Sequence, residues 1–191
     1  PTLIVSRSIS SLRDSTLGAD ARLRYMAPML VSGWDWRKDF RFRTMSEPGW
    51  AELYASYRHG LRLTALMHRA GTPILAGTDA PNPYVFPGFS LHEELALLVE
   101  AGLTPLAALQ SATRNPARYF AASDSLGSVA AGHVADLVLL DADPLLDIRN
   151  TARIHAVVAS GRLYRRADLD ALLLFAERTA NAGGPGGSPT N

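Results

Sequence analysis

The stretch AGTPILAGTDAPNP, residues 70–83, limits the possible folds of this chain more than any other. Ile74-Leu75-Ala76 is a buried-strand run, and it ends on Gly77, Thr78 and a lone carboxylate, Asp79. Pro81 and Pro83 then forbid both a continued strand and an immediate helix. In parallel α/β folds, ligand sites are built from the loops that follow the C-terminal ends of the strands. An acid at such a tip is a candidate metal ligand or general base. By the same residues it is equally a candidate for an Asx-turn that shapes the Pro-rich loop.

The segments around this run alternate in character. Residues 2–9, TLIVSRSI, are β-branched and predict a buried strand. Residues 10–49 carry no sustained period and include GWDWRKDFRFR, Pro28 and Pro48, which predicts a long functional loop with short helical pieces. Residues 50–70 place Leu53, Tyr57, Leu61 and Leu66 near helical spacing, with Gly71 as the C-terminal stop. A strand is expected over 73–78. Ser90 and Glu93 make a capping box for a helix over 91–101. Thr104-Pro105 and Asn115-Pro116 each predict an N-cap followed by proline, opening helices over 105–113 and 116–121.

The texture changes after residue 125. LGSVAAGH, ADLVLLDAD and IHAVVASGRLYR alternate in strand fashion across 126–166, and Ser160-Gly161 predicts a hairpin turn. A terminal helix is expected over 167–180, and the Gly/Pro-rich residues 181–191 predict a disordered tail. The expected divisions are therefore 1–125, 126–166, 167–180 and 181–191.

Bulk chemistry excludes several function classes. With 191 residues, 47% of them apolar, the chain can bury a core. A net charge of +1 gives no electrostatic case for nucleic acid or an anionic membrane, and no apolar run is long enough to span a bilayer. The absence of cysteine removes disulfides, thiolate ligands and a cysteine nucleophile, and is compatible with a cytoplasmic or an exported bacterial protein. Arginine supplies nearly all the positive charge, Lys38 being the only lysine, a bias expected of GC-rich bacterial coding. The opening PTLIV, without Met or a signal-type segment, reads as a truncated start.

Several motifs in series resemble the C-terminal portion of the metal-dependent amidohydrolase superfamily, in the group of imidazolonepropionase-like and prolidase-like enzymes. They are PTLIV (1–5), AGTPILAGTDA (70–80), LHEELALLVEAGLTPLAALQSATRNPARYF (91–120), LGSVAAGHVADLVLLDADPLLDIRN (126–150) and VVASGRLY (157–164). The resemblance implies an α/β fold, the C-terminal part of a (β/α)8 TIM barrel. PTLIV and PILAGTD would be strands seven and eight, and residues 126–166 the returning strands of a small β-sandwich. It implies one or two divalent metal ions, zinc foremost, with Asp79 as metal ligand and as the carboxylate that shuttles a proton from the attacking water to the leaving nitrogen. The reaction expected is hydrolysis of a C–N bond in a cyclic or peptide-like amide of a small molecule.

The family's remaining ligands are a His-x-His pair on strand one, a Lys or Glu on strand four and histidines on strands five and six. Here the histidines stand at 59, 68, 92, 133 and 155, with no His-x-His, and a whole barrel takes about 250 residues. The 191 residues are therefore expected to be a fragment that is inactive alone. The alternative from another class is a non-catalytic half-barrel or binding module that needs a partner chain. Unpaired strand edges predict association, and the complete protein is expected to be a homo-oligomer. Candidate substrate contacts are Asn82, Tyr84 and Phe86 in the loop after Asp79, His92 in the following helix, and Trp34 and Trp36 in the long loop. The aromatic residues could equally pack the loops onto the barrel, and His92 could make a structural hydrogen bond.

Overall fold

The computed structural model describes residues 1–182, and the expected tail beyond Ala182 lies outside the described residues. The chain opens with helix α1 (Leu3–Ser10), two 3-10 turns (Ser15–Ala19 and Ala21–Tyr25) and α2 (Pro28–Ser32). Next come α3 (Glu47–Arg69), α4 (Ser90–Glu100), α5 (Pro105–Ala112) and α6 (Arg114–Tyr119). Strand β1 (Leu137–Leu140), a 3-10 turn (Ile148–Ala152), strands β2 (Ile154–Ala159) and β3 (Arg162–Arg165), and helix α7 (Arg166–Ala182) complete it.

Residues 3–10 are thus helical where a barrel strand was expected over 2–9. A helix N-terminus leaves its first N–H groups without intrahelical acceptors, and here the buried Glu94 supplies them. Its Oε1 accepts from Leu3 N–H at 3.1 Å and its Oε2 from Ile4 N–H at 2.7 Å. Residues 73–78, expected as a strand, carry no regular secondary structure and pair with no strand. Their backbone is tied to the N-terminus and to helices instead: Ala76 N–H donates to the Ser111 carbonyl, Gly77 N–H to the Pro1 carbonyl, and the Ile74 carbonyl accepts from Asn115 Nδ2. That last bond explains why Asn115 is no N-cap: its amide is occupied with the segment 73–78, and α6 begins at Arg114, two residues before the expected start.

Helix α3 starts at the Ser46 cap, whose Oγ accepts from Gly49 N–H, and ends in a Schellman motif. Gly71, at φ +78°, donates to the His68 carbonyl, and Thr72 N–H to that of Met67. Tyr57, Leu61, Thr64 and Ala65 form its buried stripe. Leu66 is exposed because nine residues from Tyr57, at about 100° each, carry it to the opposite face. The main core joins Leu3 and Ile4 of α1, Tyr57 and Leu61 of α3, Ile74, Val85 and Leu95, Leu97 and Leu98 of α4.

The module after residue 135 is one antiparallel sheet ordered β1-β2-β3, and among the described residues no second sheet packs on it to make a sandwich. Leu137 pairs with Val158 and Leu139 with Ala156, after which the register slips. Ala159 pairs with Arg162 across the Ser160-Gly161 turn, whose two residues both have positive φ, as a type I′ hairpin requires. LGSVAAGH, expected as a strand, is a succession of turns. Its Gly127 and Gly132 sit at φ +82° and +86°, which takes the backbone out of the extended region. Ile148, in the turn between β1 and β2, reaches into the main core and docks the module onto α4.

Candidate functional site

Asp79 lies directly after the segment 73–78, in the left-handed region at φ +52° and exposed to solvent. Asn82 Nδ2 donates to the Asp79 carbonyl at 2.7 Å and to its Oδ2 at 3.1 Å, and Asn82 N–H closes the same turn. The Asp79 turn is thus closed through its carbonyl, with the side chains of Asp79 and Asn82 bonded across it. Asp79 organises a turn through its carbonyl and Oδ2, while Oδ1 makes no hydrogen bond among the described residues.

Beyond the turn the loop is held hard. Ser8 Oγ donates to the Pro83 carbonyl, and Val85 and Phe86 have almost no exposure. Tyr84, at φ +56°, is half-buried and touches both small aromatic clusters. Burial, helped by the Asp35 charge, pushes its phenol above the ordinary value. Trp34 packs at 5.3 Å from Tyr84 and edge-on at 5.9 Å from Phe86.

The structure sorts the candidate contacts. Asn82 closes the Asp79 turn, and Tyr84 stands in the turn that follows it. Phe86 (1% exposed) and Trp34 (5%) form the layer beneath it, their faces already covered by protein, so neither offers surface to a substrate. Trp36 is turned away into a different cluster, edge-on to Trp50 at 5.5 Å. His92 faces the sheet module: its Nδ1 lies 3.1 Å from Thr151 Oγ1, which spends its own proton on the Ile148 carbonyl. That leaves the imidazole as donor, and burial, opposed by Glu93, lowers its pKa.

Unforeseen from the sequence are the groups that fix this layer. Arg22 donates through Nη1 to Glu93 Oε2 at 2.8 Å, grips Asp20 with Nε and Nη2, and stacks 4.4 Å from the Phe86 ring centre. Burial pulls its guanidinium down, but the bonds to Asp20 and Glu93 outweigh that and hold it above its usual value. Ser90 Oγ, expected as an N-cap, instead accepts from Phe86 N–H at 2.8 Å and donates to Glu93 Oε2 at 2.9 Å. Helix α4 starts at Ser90 itself, so the hydroxyl is free for the loop. The Ser90–Glu93 spacing was legible as a capping box; that Arg22 reaches Glu93 could be learned only from the fold.

No group of three or more His, Asp or Glu side chains that could hold a metal occurs among the described residues. Asp79 has one carboxylate oxygen without a hydrogen bond and belongs to no such group of three among the described residues, so these residues do not by themselves fit a divalent ion.

Residues 56–164 match the family model described as the amidohydrolase family, over more than half the chain. The chain belongs to the amidohydrolase family. It is 41% identical over 68 residues to adenine deaminase 2 of Jannaschia sp. (strain CCS1), an alignment that spans 36% of this chain and 11% of that protein. Among solved structures it is similar to the bottromycin amidohydrolase, with a TM-score of 0.70 and 25% identity, covering 94% of this chain and 39% of that one. A putative prolidase from Bifidobacterium longum matches with a TM-score of 0.56 and 30% identity, over 78% of this chain and 39% of its own. The chain thus spans well under half the length of these amidohydrolase structures, and its helical body is part of a TIM-barrel-like domain.

Proposed function

We propose that this chain is the C-terminal portion of a metal-dependent hydrolase acting on C–N bonds other than peptide bonds, with Asp79 as its catalytic carboxylate. The observation that carries the reading is the placement of Asp79: directly after the segment 73–78, solvent-facing, with one carboxylate oxygen making no hydrogen bond among the described residues. In the whole protein that segment is the last barrel strand. The other ligands to a divalent metal, zinc foremost, come from sequence outside these 191 residues.

Asp79 would contribute one ligand oxygen and carry the proton. The carboxylate would accept it from the attacking water and return it to the leaving nitrogen, while Asn82, bonded to Oδ2, holds the carboxylate in one rotamer. The substrate is a small molecule with a cyclic or peptide-like amide, or an amino-substituted ring of the kind that the adenine deaminases' name describes. Tyr84 and Asn82 are the side chains of this chain best placed to touch it. In the whole protein, Asp79→Asn keeps size and hydrogen bonding but removes the base, and kcat is expected to fall by about three orders of magnitude or more. An unchanged kcat would overturn the assignment.

A second reading, a non-catalytic half-barrel that works only with a partner chain, is favoured by the unpaired segment 73–78 and the single ligand. It predicts self-association of the 191-residue chain on size-exclusion chromatography; a well-folded monomer counts against it.

A further inference from the structure

Four Asp-x-Arg triplets fold into the same local turn, the aspartate accepting the N–H of the arginine two residues on: Asp20–Arg22, Asp35–Arg37, Asp39–Arg41 and Asp147–Arg149. In three of them the guanidinium folds back on its own aspartate, and among the described residues it makes no other ion pair. Arg22 differs. It reaches across 71 residues of sequence to Glu93 and lies flat on Phe86.

The contacts form a closed circuit. Arg22 bonds Glu93, Glu93 accepts from Ser90, Ser90 accepts from the Phe86 amide, and the Phe86 ring lies under Arg22. Arg7 occupies the other oxygen of Glu93 at 3.1 Å, so the carboxylate is neutralised from two sides. Phe86 is therefore held by its amide and by its ring. Through Phe86 the circuit sets Trp34, and Trp34 sets Tyr84. Tyr84 stands in the turns that begin at Asp79, where Asn82 bonds back to Asp79 and Val85 to Asn82. A free loop with prolines and two left-handed residues has no such reason to hold one shape.

We propose that the circuit of Arg22, Glu93, Ser90 and Phe86 is a positioning device for the substrate wall: Arg22 fixes the segment 82–86, and with it the place of Tyr84 beside Asp79. This rests on the reading of the Asp79 turn as the site. Arg22 touches no reacting atom and acts only through the loop. Its removal should therefore loosen substrate binding far more than it slows the chemical step.

The test uses the whole protein with Arg22→Met, which keeps the apolar stem over Phe86 but no donors, and Arg22→Lys, which keeps charge without the fork. KM is expected to rise roughly tenfold in both, with kcat within about threefold and metal content unchanged. Amide exchange should rise in peptides spanning 80–90 and stay unchanged in those spanning 105–119. Unchanged KM and unchanged exchange at 80–90 overturn the proposal, as does a uniform rise in exchange, which would mean general destabilisation. Should either variant fail to fold, Phe86→Leu removes the ring and leaves the ion pairs, and the same KM rise is required of it. Should the wild-type protein hydrolyse no C–N bond, the functional reading fails, and the exchange pattern alone still decides the clamp.

Discussion

Between Val85 and Leu98 the chain holds residues with essentially no exposure, Val85, Ser90, Glu94 and Leu98 at 0% and Phe86 at 1%, whereas α7 buries no residue at all. The sheet module resembles α7: of its strands only Ala156 is buried, and Val138, Leu139 and Leu163 are exposed. The first region makes its own surroundings. Polar groups there are closed into circuits, and none of the buried side-chain nitrogens or oxygens among the described residues lacks a partner. The second region displays apolar side chains that nothing among the described residues covers, including Leu172 and Phe175 of α7. The contrast places rigidity at the Asp79 end, where the chemistry is proposed, and leaves the module with faces still to be filled.

The sharpest way to break that contrast is to remove one leucine from each region. Leu98→Ala empties a fully buried position and should cost about 3 kcal/mol or more in urea unfolding. The equivalent Leu163→Ala belongs at the other end of the scale, as its 45% exposed side chain should cost no more than about 0.5 kcal/mol. Equal losses would mean that the two regions are not energetically distinct.

Gly127→Ala comes next, at the seam between them. Its φ is +82°, and an added Cβ would lie 2.6 Å from the Ala117 Cβ and 2.9 Å from the Thr113 carbonyl. Backbone strain and overlap together should cost about 2 kcal/mol, read as a lowered urea midpoint. A neutral effect would show that the turn after α6 is not pressed against that helix.

Glu94 sharpens the comparison through pH. Burial pushes its carboxyl up to about 6 from the ordinary 4.5, against the pull of the Ile4 and Leu3 amides. A raised carboxyl pKa means that the folded state binds more protons than the unfolded one between those values. The contribution to stability is therefore fully present below 4.5 and lost as pH rises through about 6, on the order of 2 kcal/mol. Unfolding midpoints across pH 4.5–7 should show this slope in the wild type and lose it in Glu94→Gln; a slope kept in the variant assigns it to other groups.

Legibility followed the range of the forces. Thr104 at the head of α5, the glycine stop of α3 and the Ser160-Gly161 hairpin are decided within a few residues, and the sequence predicted each. PTLIV did not behave as its β-branched composition suggests. A strand needs neighbours, and the buried Glu94, some 90 residues away, made a helix start the better use of those amides. Asp79 and Asn82 share one turn, so their proximity was readable from the sequence. The packing of Trp36 on Trp50 and the hydrogen bond of His92 to Thr151 fit the structural alternatives the sequence offered, but their partners come from elsewhere in the fold and could not be named from it. Arg22 looked like any other arginine of the polar loop until the fold brought Glu93 to it.

The central claim is that Asp79 is one ligand of a site this chain does not complete. Metal content, by elemental analysis, tests it most directly on three samples: the whole protein, its Asp79→Ala variant, and the 191-residue chain. Bound divalent metal is expected in the whole protein, a clear loss in the variant, and none in the chain alone. Near-stoichiometric metal in the isolated chain, or content unmoved by Asp79→Ala in the whole protein, would contradict it.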